Sequence, residues 1–134
     1  MSNINPYISV IVPTTRIGGL DVLFSGLENL IFKDFELILV DNLYDYRKDI
    51  VIEKMKQYSF KIKHIPPLNS TFTATNYCRD MNTGIINSDG NIVLCICDYA
   101  WLHPSCLQIH HDFHKNETNN SALICSYNLC KLPK

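Results

Sequence analysis

The sequence predicts an α/β domain built on a mainly parallel open sheet with helices on both faces. Three observations predict it. Short apolar runs at Ile8–Val12, Phe35–Val40 and Ile92–Cys97 have the near-continuous hydrophobic character of strands covered on both sides. Between them, apolar residues recur at helical spacing. The resulting strand–helix alternation calls for parallel pairing through right-handed crossovers.

The elements follow in order. Ile8-Ser9-Val10-Ile11-Val12 is the first strand, ended by Pro13. Gly18-Gly19 break the chain, and Leu20, Leu23, Leu27, Leu30 and Ile31 then set a helix over Leu20–Phe32. Phe35–Val40 is the second strand and ends on Asp41-Asn42. Ile50, Val51, Met55 and Tyr58 make a weaker helical stripe. Lys61–Ile65 alternates as a third strand, stopped by Pro66-Pro67. A polar stretch, Asn69-Ser70-Thr71, leads to a third helix with an expected apolar face of Ala74, Tyr77, Cys78, Met81 and Ile85. Ser88-Asp89-Gly90 close that helix. The strand Ile92–Cys97 runs into Asp98. Pro104 suits the first position of a fourth helix, which would carry Leu107, His110 and either Phe113 or His114 inward. Ser121–Tyr127 reads as a last short strand.

Composition bounds the function. The chain has 134 residues, enough for one domain with a real core, and 46% of them are hydrophobic. Twelve basic residues against 13 acidic ones give a net charge of −1, which argues against a general nucleic-acid binder. Six cysteines would allow three disulfides, but Met1–Asn5 shows no basic n-region and no apolar h-region. No CxxC pair occurs, so reduced thiols in a cytoplasmic protein are expected. In that compartment the Asn-x-Ser/Thr matches at Asn69, Asn116 and Asn119 are accidental. No apolar run reaches membrane-spanning length, so no transmembrane segment is expected.

In open parallel sheets, ligands bind beyond the carboxyl ends of the strands. Three such ends are polar here: Thr14-Thr15-Arg16, Asp41-Asn42 and Asp98. Several familiar chemistries are excluded. The first turn, Pro13 to Gly19, lacks dinucleotide-binding glycine spacing, and no P-loop occurs. Response-regulator acids are missing after the first strand. His110 and His114 share a helix face but lack the glutamate of HExxH, so a histidine pair outside metal chemistry is the simpler reading. There is no Gly-x-Ser-x-Gly elbow. Cys97 has no basic neighbour in sequence to activate it as a nucleophile.

Four segments, taken together, resemble one family. Ile8-Ser9-Val10-Ile11-Val12-Pro13-Thr14 resembles the opening strand of family 2 glycosyltransferases of the GT-A fold. Glu36–Asn42 resembles their second strand with its terminal acid. Met81-Asn82-Thr83-Gly84-Ile85 followed by Gly90-Asn91-Ile92-Val93 is similar to their helix-to-strand passage. Trp101-Leu102-His103-Pro104, with Leu107 beyond, is similar to the segment after their acidic metal motif. The similarity runs in order from Ile8 to Leu107.

The resemblance implies a single nucleotide-sugar-binding domain over residues 1–134. It implies inverting transfer of a sugar from a nucleoside-diphosphate donor, with UDP the expected nucleotide. Pro13 and Thr14 would line the uracil pocket. Asp41 would accept the base N3–H, because a carboxylate only accepts and an imide N–H donates; its plainer reading is a turn or helix cap. The family's Asp-x-Asp falls on Cys97-Asp98-Tyr99, so only the middle position is acidic. Asp98 would lie near the ribose and the diphosphate and hold Mg²⁺ or Mn²⁺ with oxygen ligands from the donor and water; its plainer reading is a cap on the Tyr99–Leu102 turn. Asn76 stands where some members carry an arginine. Arg79, one turn later, would reach a phosphate or pair with Asp80 or Asp112. The acceptor half, with its general base, is expected to be absent. The alternatives are a non-catalytic nucleotide-sugar-binding module, a remnant that works beside a partner chain or in an oligomer, and an unrelated doubly wound binding domain.

Overall fold

The computed structural model describes residues 7–69, 76–116 and 121–123. Four strands and four helices alternate along them: β1 (Ile8–Thr14), α1 (Leu20–Glu28), β2 (Phe35–Asp41), α2 (Tyr44–Met55), β3 (Lys61–Ile65), α3 (Tyr77–Ile86), β4 (Ile92–Cys95) and α4 (Cys106–Asn116). All pairing is parallel, in the order β3-β2-β1-β4. The predicted α/β architecture with helices on both faces is what the chain adopts.

The two faces have different cores. Ile8, Val10 and Val12 of β1 join Phe35, Leu37 and Leu39 of β2 under α1, α2 and α4, which supply Leu23, Phe24, Leu27, Val51 and Leu107. The opposite face is thinner, with Ile11, Ile38 and Val40 beneath Met81 and Ile65. There α3 lies close to the sheet at Gly84. A Cβ at that position would stand 2.2 Å from Ile11 Cγ2, so only glycine permits the approach. Gly19 starts α1 with φ +94°, the left-handed region that glycine enters without strain.

Several boundaries depart from the expectations. α1 ends at Glu28 rather than Phe32, because the Ile31 amide is diverted to the Pro104 carbonyl at 2.9 Å. α2 starts six residues before its apolar stripe, and Ile50 is exposed. Of the expected face of α3, Met81 packs against the sheet, but Tyr77, Cys78 and Ile85 are exposed, while Asp80, Thr83 and Gly84 are inside. Close approach and hydrogen bonding, not apolar bulk, seat this helix. Pro104 lies in a turn two residues before α4, whose buried residues are Leu107 and His110. Ser121–Leu123 have no regular structure. The rest of the expected last strand, Ile124–Tyr127, lies outside the described residues, as do Ser70, Thr71 and Ala74.

β4 also stops earlier than Cys97, for a reason written in β1. The ladder reaches its last bond at Ile96 N–H to the Ile11 carbonyl, 3.0 Å. The next rung would need an amide from Pro13, which has none. The chain after β4 is thereby released into the Asp98-Tyr99 turn.

Cys78, Cys95 and Cys97 form no disulfide. Among the described residues, no helix is long and apolar enough to cross a membrane.

Candidate functional site

The carboxyl ends of β1, β2 and β4 meet at a connected set of polar side chains. Thr14 is the last residue of β1 and is buried. Its hydroxyl donates to Asp98 Oδ2 at 2.8 Å and accepts from Arg47 Nη2 at 3.1 Å. Arg47 reaches in from the first turn of α2 and grips Asp41 with both edges: Nε to Oδ2 at 2.6 Å and Nη2 to Oδ1 at 2.8 Å. Such bidentate charge-assisted pairs are among the stronger polar contacts in proteins. Arg47 Nη1 donates to the Arg16 carbonyl, which ties the β1–α1 loop to the same guanidinium.

Asp41 is fully engaged. Besides Arg47, its Oδ1 accepts the Leu43 amide at 2.8 Å and its Oδ2 takes His64 Nε2 at 2.7 Å. The four contacts match the acceptor capacity of one carboxylate. Burial pushes the carboxyl pKa up, but hydrogen bonds from His64, Arg47 and the Leu43 amide outweigh burial and hold it below its ordinary value. Since the carboxylate stays ionised, His64 must carry its proton on Nε2. The Tyr44 ring stands 4.7 Å from the His64 ring and screens the pair. The acid that the resemblance aims at a base N3–H is thus spent inside the protein, where it also closes the turn before α2 at the Leu43 amide.

On the α3 face, Asn42 and Asp80 extend the network. Asn42 Nδ2 donates to Asp80 Oδ2 at 2.6 Å. Arg79 donates to Asp80 Oδ1 through Nε at 2.9 Å and to Asn42 Oδ1 through Nη2 at 2.8 Å. Asp80 is therefore the partner of Arg79; Asp112 bonds instead with His111 and Gln108. Asn76 caps α3 by accepting the Arg79 amide at 3.0 Å. Pro13 is buried on the α3 side of the sheet, in register with Val40.

Asp98 sits at the solvent side of the network. Thr14 holds Oδ2, and Arg16 Nε lies 3.6 Å from Oδ1. The Arg16 guanidinium also rests over the Tyr99 ring, 4.6 Å from its centroid, a cation–π arrangement. Beside this, the β1–α1 loop and α2 enclose an open groove of about 620 Å³, lined on one wall by Ile17, Gly18 and Gly19 and on the other by Tyr46, Arg47 and Ile50. It meets the hydrogen-bonded network at Arg47 and Leu43. Its volume is in the range of small-molecule clefts.

These residues do not fit a resident divalent cation. Among the described residues, no three His, Cys, Asp or Glu side chains gather as a ligand set. Both Asp98 oxygens face donors of this chain, and an arginine stands where a hard cation would need oxygens. The metal expected on Asp98 therefore lacks supporting ligands in this arrangement.

The structure brings Thr14, Asp41 and Asp98 together, with Arg79 one residue further out through Asn42. Sequence reasoning missed Arg47 and treated His64 as an ordinary strand residue. The one signal for Arg47 was a basic residue in the turn after a strand-end acid. No known protein-family model matches the chain, and no curated protein sequence matches it.

Proposed function

We propose that this end of the sheet binds the nucleoside-diphosphate part of a sugar donor, and that the chain is the donor-binding half of a glycosyltransferase similar to family 2. The observation that carries the reading is the unbroken chain Asp98–Thr14–Arg47–Asp41, which joins three strand ends at the place where open parallel sheets hold ligands. The ordered motifs from Ile8 to Leu107 support the family. The groove supports the ligand: Tyr46, 75% exposed, offers a ring face for a base, and Ile17 faces it across the cleft.

In this reading the chain's own residues bind and orient. Arg47 braces the β1–α1 loop against α2 and fixes the groove's width. Thr14 holds Asp98 at the carboxyl end of β1, and Arg79 holds Asn42 against Asp80 on the α3 side. UDP is the first candidate nucleotide.

A second reading is a binding module without catalysis. The engagement of Asp98 by Arg16 favours it, because that acid is not free to organise a metal-bound leaving group. Calorimetric titration with UDP, GDP and ADP tests both. One of the three is expected to bind, and Thr14→Val is expected to weaken it about tenfold by losing two hydrogen bonds, one buried and one partly buried. Flat titrations with all three would end the nucleotide reading. Release of free nucleotide from a bound nucleotide sugar marks an enzyme; binding without release marks the module.

A further inference from the structure

A diphosphate placed beside Asp98 would meet a negative charge, so a cation must stand between them. Three arginines gather at this end of the sheet. Arg47 and Arg79 are spent on Asp41 and Asp80, with side chains 7% and 19% exposed. Arg16 is different, with 58% of its side chain exposed. Asp98 approaches it from one edge and the Tyr99 ring lies under its face. Its backbone carbonyl is pinned by Arg47. The guanidinium is thus held at its edge, its face and its base while much of it remains open to solvent.

We infer that Arg16 takes the place of a divalent cation here and holds the donor diphosphate directly, so that donor binding is metal-independent. The inference rests on the nucleotide reading above. With Nε turned to Asp98, the two Nη groups form the outer edge of a planar fork, and that edge matches two phosphate oxygens. Asp98 is then a positioning residue for Arg16, and Tyr99 supplies the stacking surface. Holding the side chain in place beforehand lowers the ordering cost of binding. This accounts for both departures from Asp-x-Asp at once: one acid suffices to orient an arginine, and an aromatic ring serves it better than a second carboxylate.

The test is calorimetry on the full chain with UDP and with uridine, each in EDTA and in Mn²⁺. For the wild type, UDP affinity is expected to agree within about twofold between EDTA and Mn²⁺. Arg16→Ala is expected to weaken UDP about tenfold or more while leaving uridine within about twofold, since uridine has no phosphate to lose. Arg16→Lys keeps the charge without the fork and is expected to fall between the two. A thermal melt of Arg16→Ala that matches the wild type shows that the effect is local. UDP binding that collapses in EDTA, or that survives Arg16→Ala unchanged, removes the arginine from this role and leaves the nucleotide reading standing. Failure of the wild type to bind any of UDP, GDP and ADP removes both.

Discussion

Strand β2 buries two carboxylates completely, Glu36 near its amino end and Asp41 at its carboxyl end, and they are satisfied in opposite styles. Glu36 faces α3. It accepts from Ser9 Oγ at 2.8 Å and from the Asp89 amide at 2.9 Å. Its Oε2 has no well-aligned hydrogen bond, but Lys63 Nζ at 3.0 Å and Lys61 Nζ at 3.4 Å hold it as ion pairs. Both lysines reach in from the surface of β3, and both also approach Asp89. Asp41 faces α1 and α2, and its charged partner is an arginine that is itself buried. The amino-end cluster is a stitch among β1, β2, β3 and the turn before β4. The carboxyl-end cluster continues through Thr14 to Asp98, an exposed arginine and a groove. Both ends link a buried acid to an exposed cation, but the groove lies against the carboxyl-end network.

The largest expected effect separates these two acids. Asp41→Asn leaves Arg47 buried without its counter-charge, and a loss of about 3–5 kcal/mol is expected in urea unfolding. Glu36→Gln should cost less, about 1–3 kcal/mol, because Lys63 keeps Asp89 at 2.6 Å. If Glu36→Gln proved the costlier change, the contrast between the two clusters would fail.

Gly90→Ala probes the amino end sterically. An added Cβ would stand 2.6 Å from the Ser9 amide nitrogen, which is backbone and cannot yield cheaply. A destabilisation of about 1–3 kcal/mol is expected, with ligand affinity measured by titration unaltered. A change in affinity would join the two ends functionally.

Acid unfolding should draw on both clusters. For Glu36 too, burial pushes the carboxyl pKa up, while the Asp89 amide, Ser9 and Lys63 outweigh burial and hold it down. Each carboxyl thus has a folded pKa below its ordinary value, 4.5 for Glu36 and 3.8 for Asp41. Their contribution is complete above those values and is lost as pH falls through the lowered folded ones. Stability followed by urea melts is therefore expected to drop below pH 4.5, and the drop should be shallower in Asp41→Asn and in Glu36→Gln.

The smallest effect comes from an exposed cation at the amino end. Lys61→Ala should change stability by no more than about 0.5 kcal/mol and should leave nucleotide affinity unchanged. Arg16→Ala, an equally exposed cation on a buried network, is the matched partner at the other end. Equal effects of the two on UDP binding would erase the distinction between stitch and site.

Much of the fold was legible. β1 and β2 were located to within two residues, and α1 began at Leu20 as its spacing indicated. α2 and α3 were harder, for related reasons. The inward residues of α2 include Arg47, and those of α3 are Asp80, Thr83 and Gly84, so neither helix shows its packed face as apolar periodicity. The site was half legible. Thr14, Asp41 and Asp98, which the structure brings together, stood out as candidates because strand ends in such sheets are informative positions. Arg47, His64 and the placement of Arg16 did not, because charged side chains carry no mark of which partner they will choose.

The sequence by itself determined the order of the elements and which polar residues end the strands, because apolar runs, helical spacing and Pro13's missing amide are local properties. Tertiary structure alone decided that Asp41 is saturated, that Arg47 is interior, and that Thr14 meets Asp98 across 84 positions of chain. The physical reason is burial: a buried charge must find its partner wherever the fold provides one.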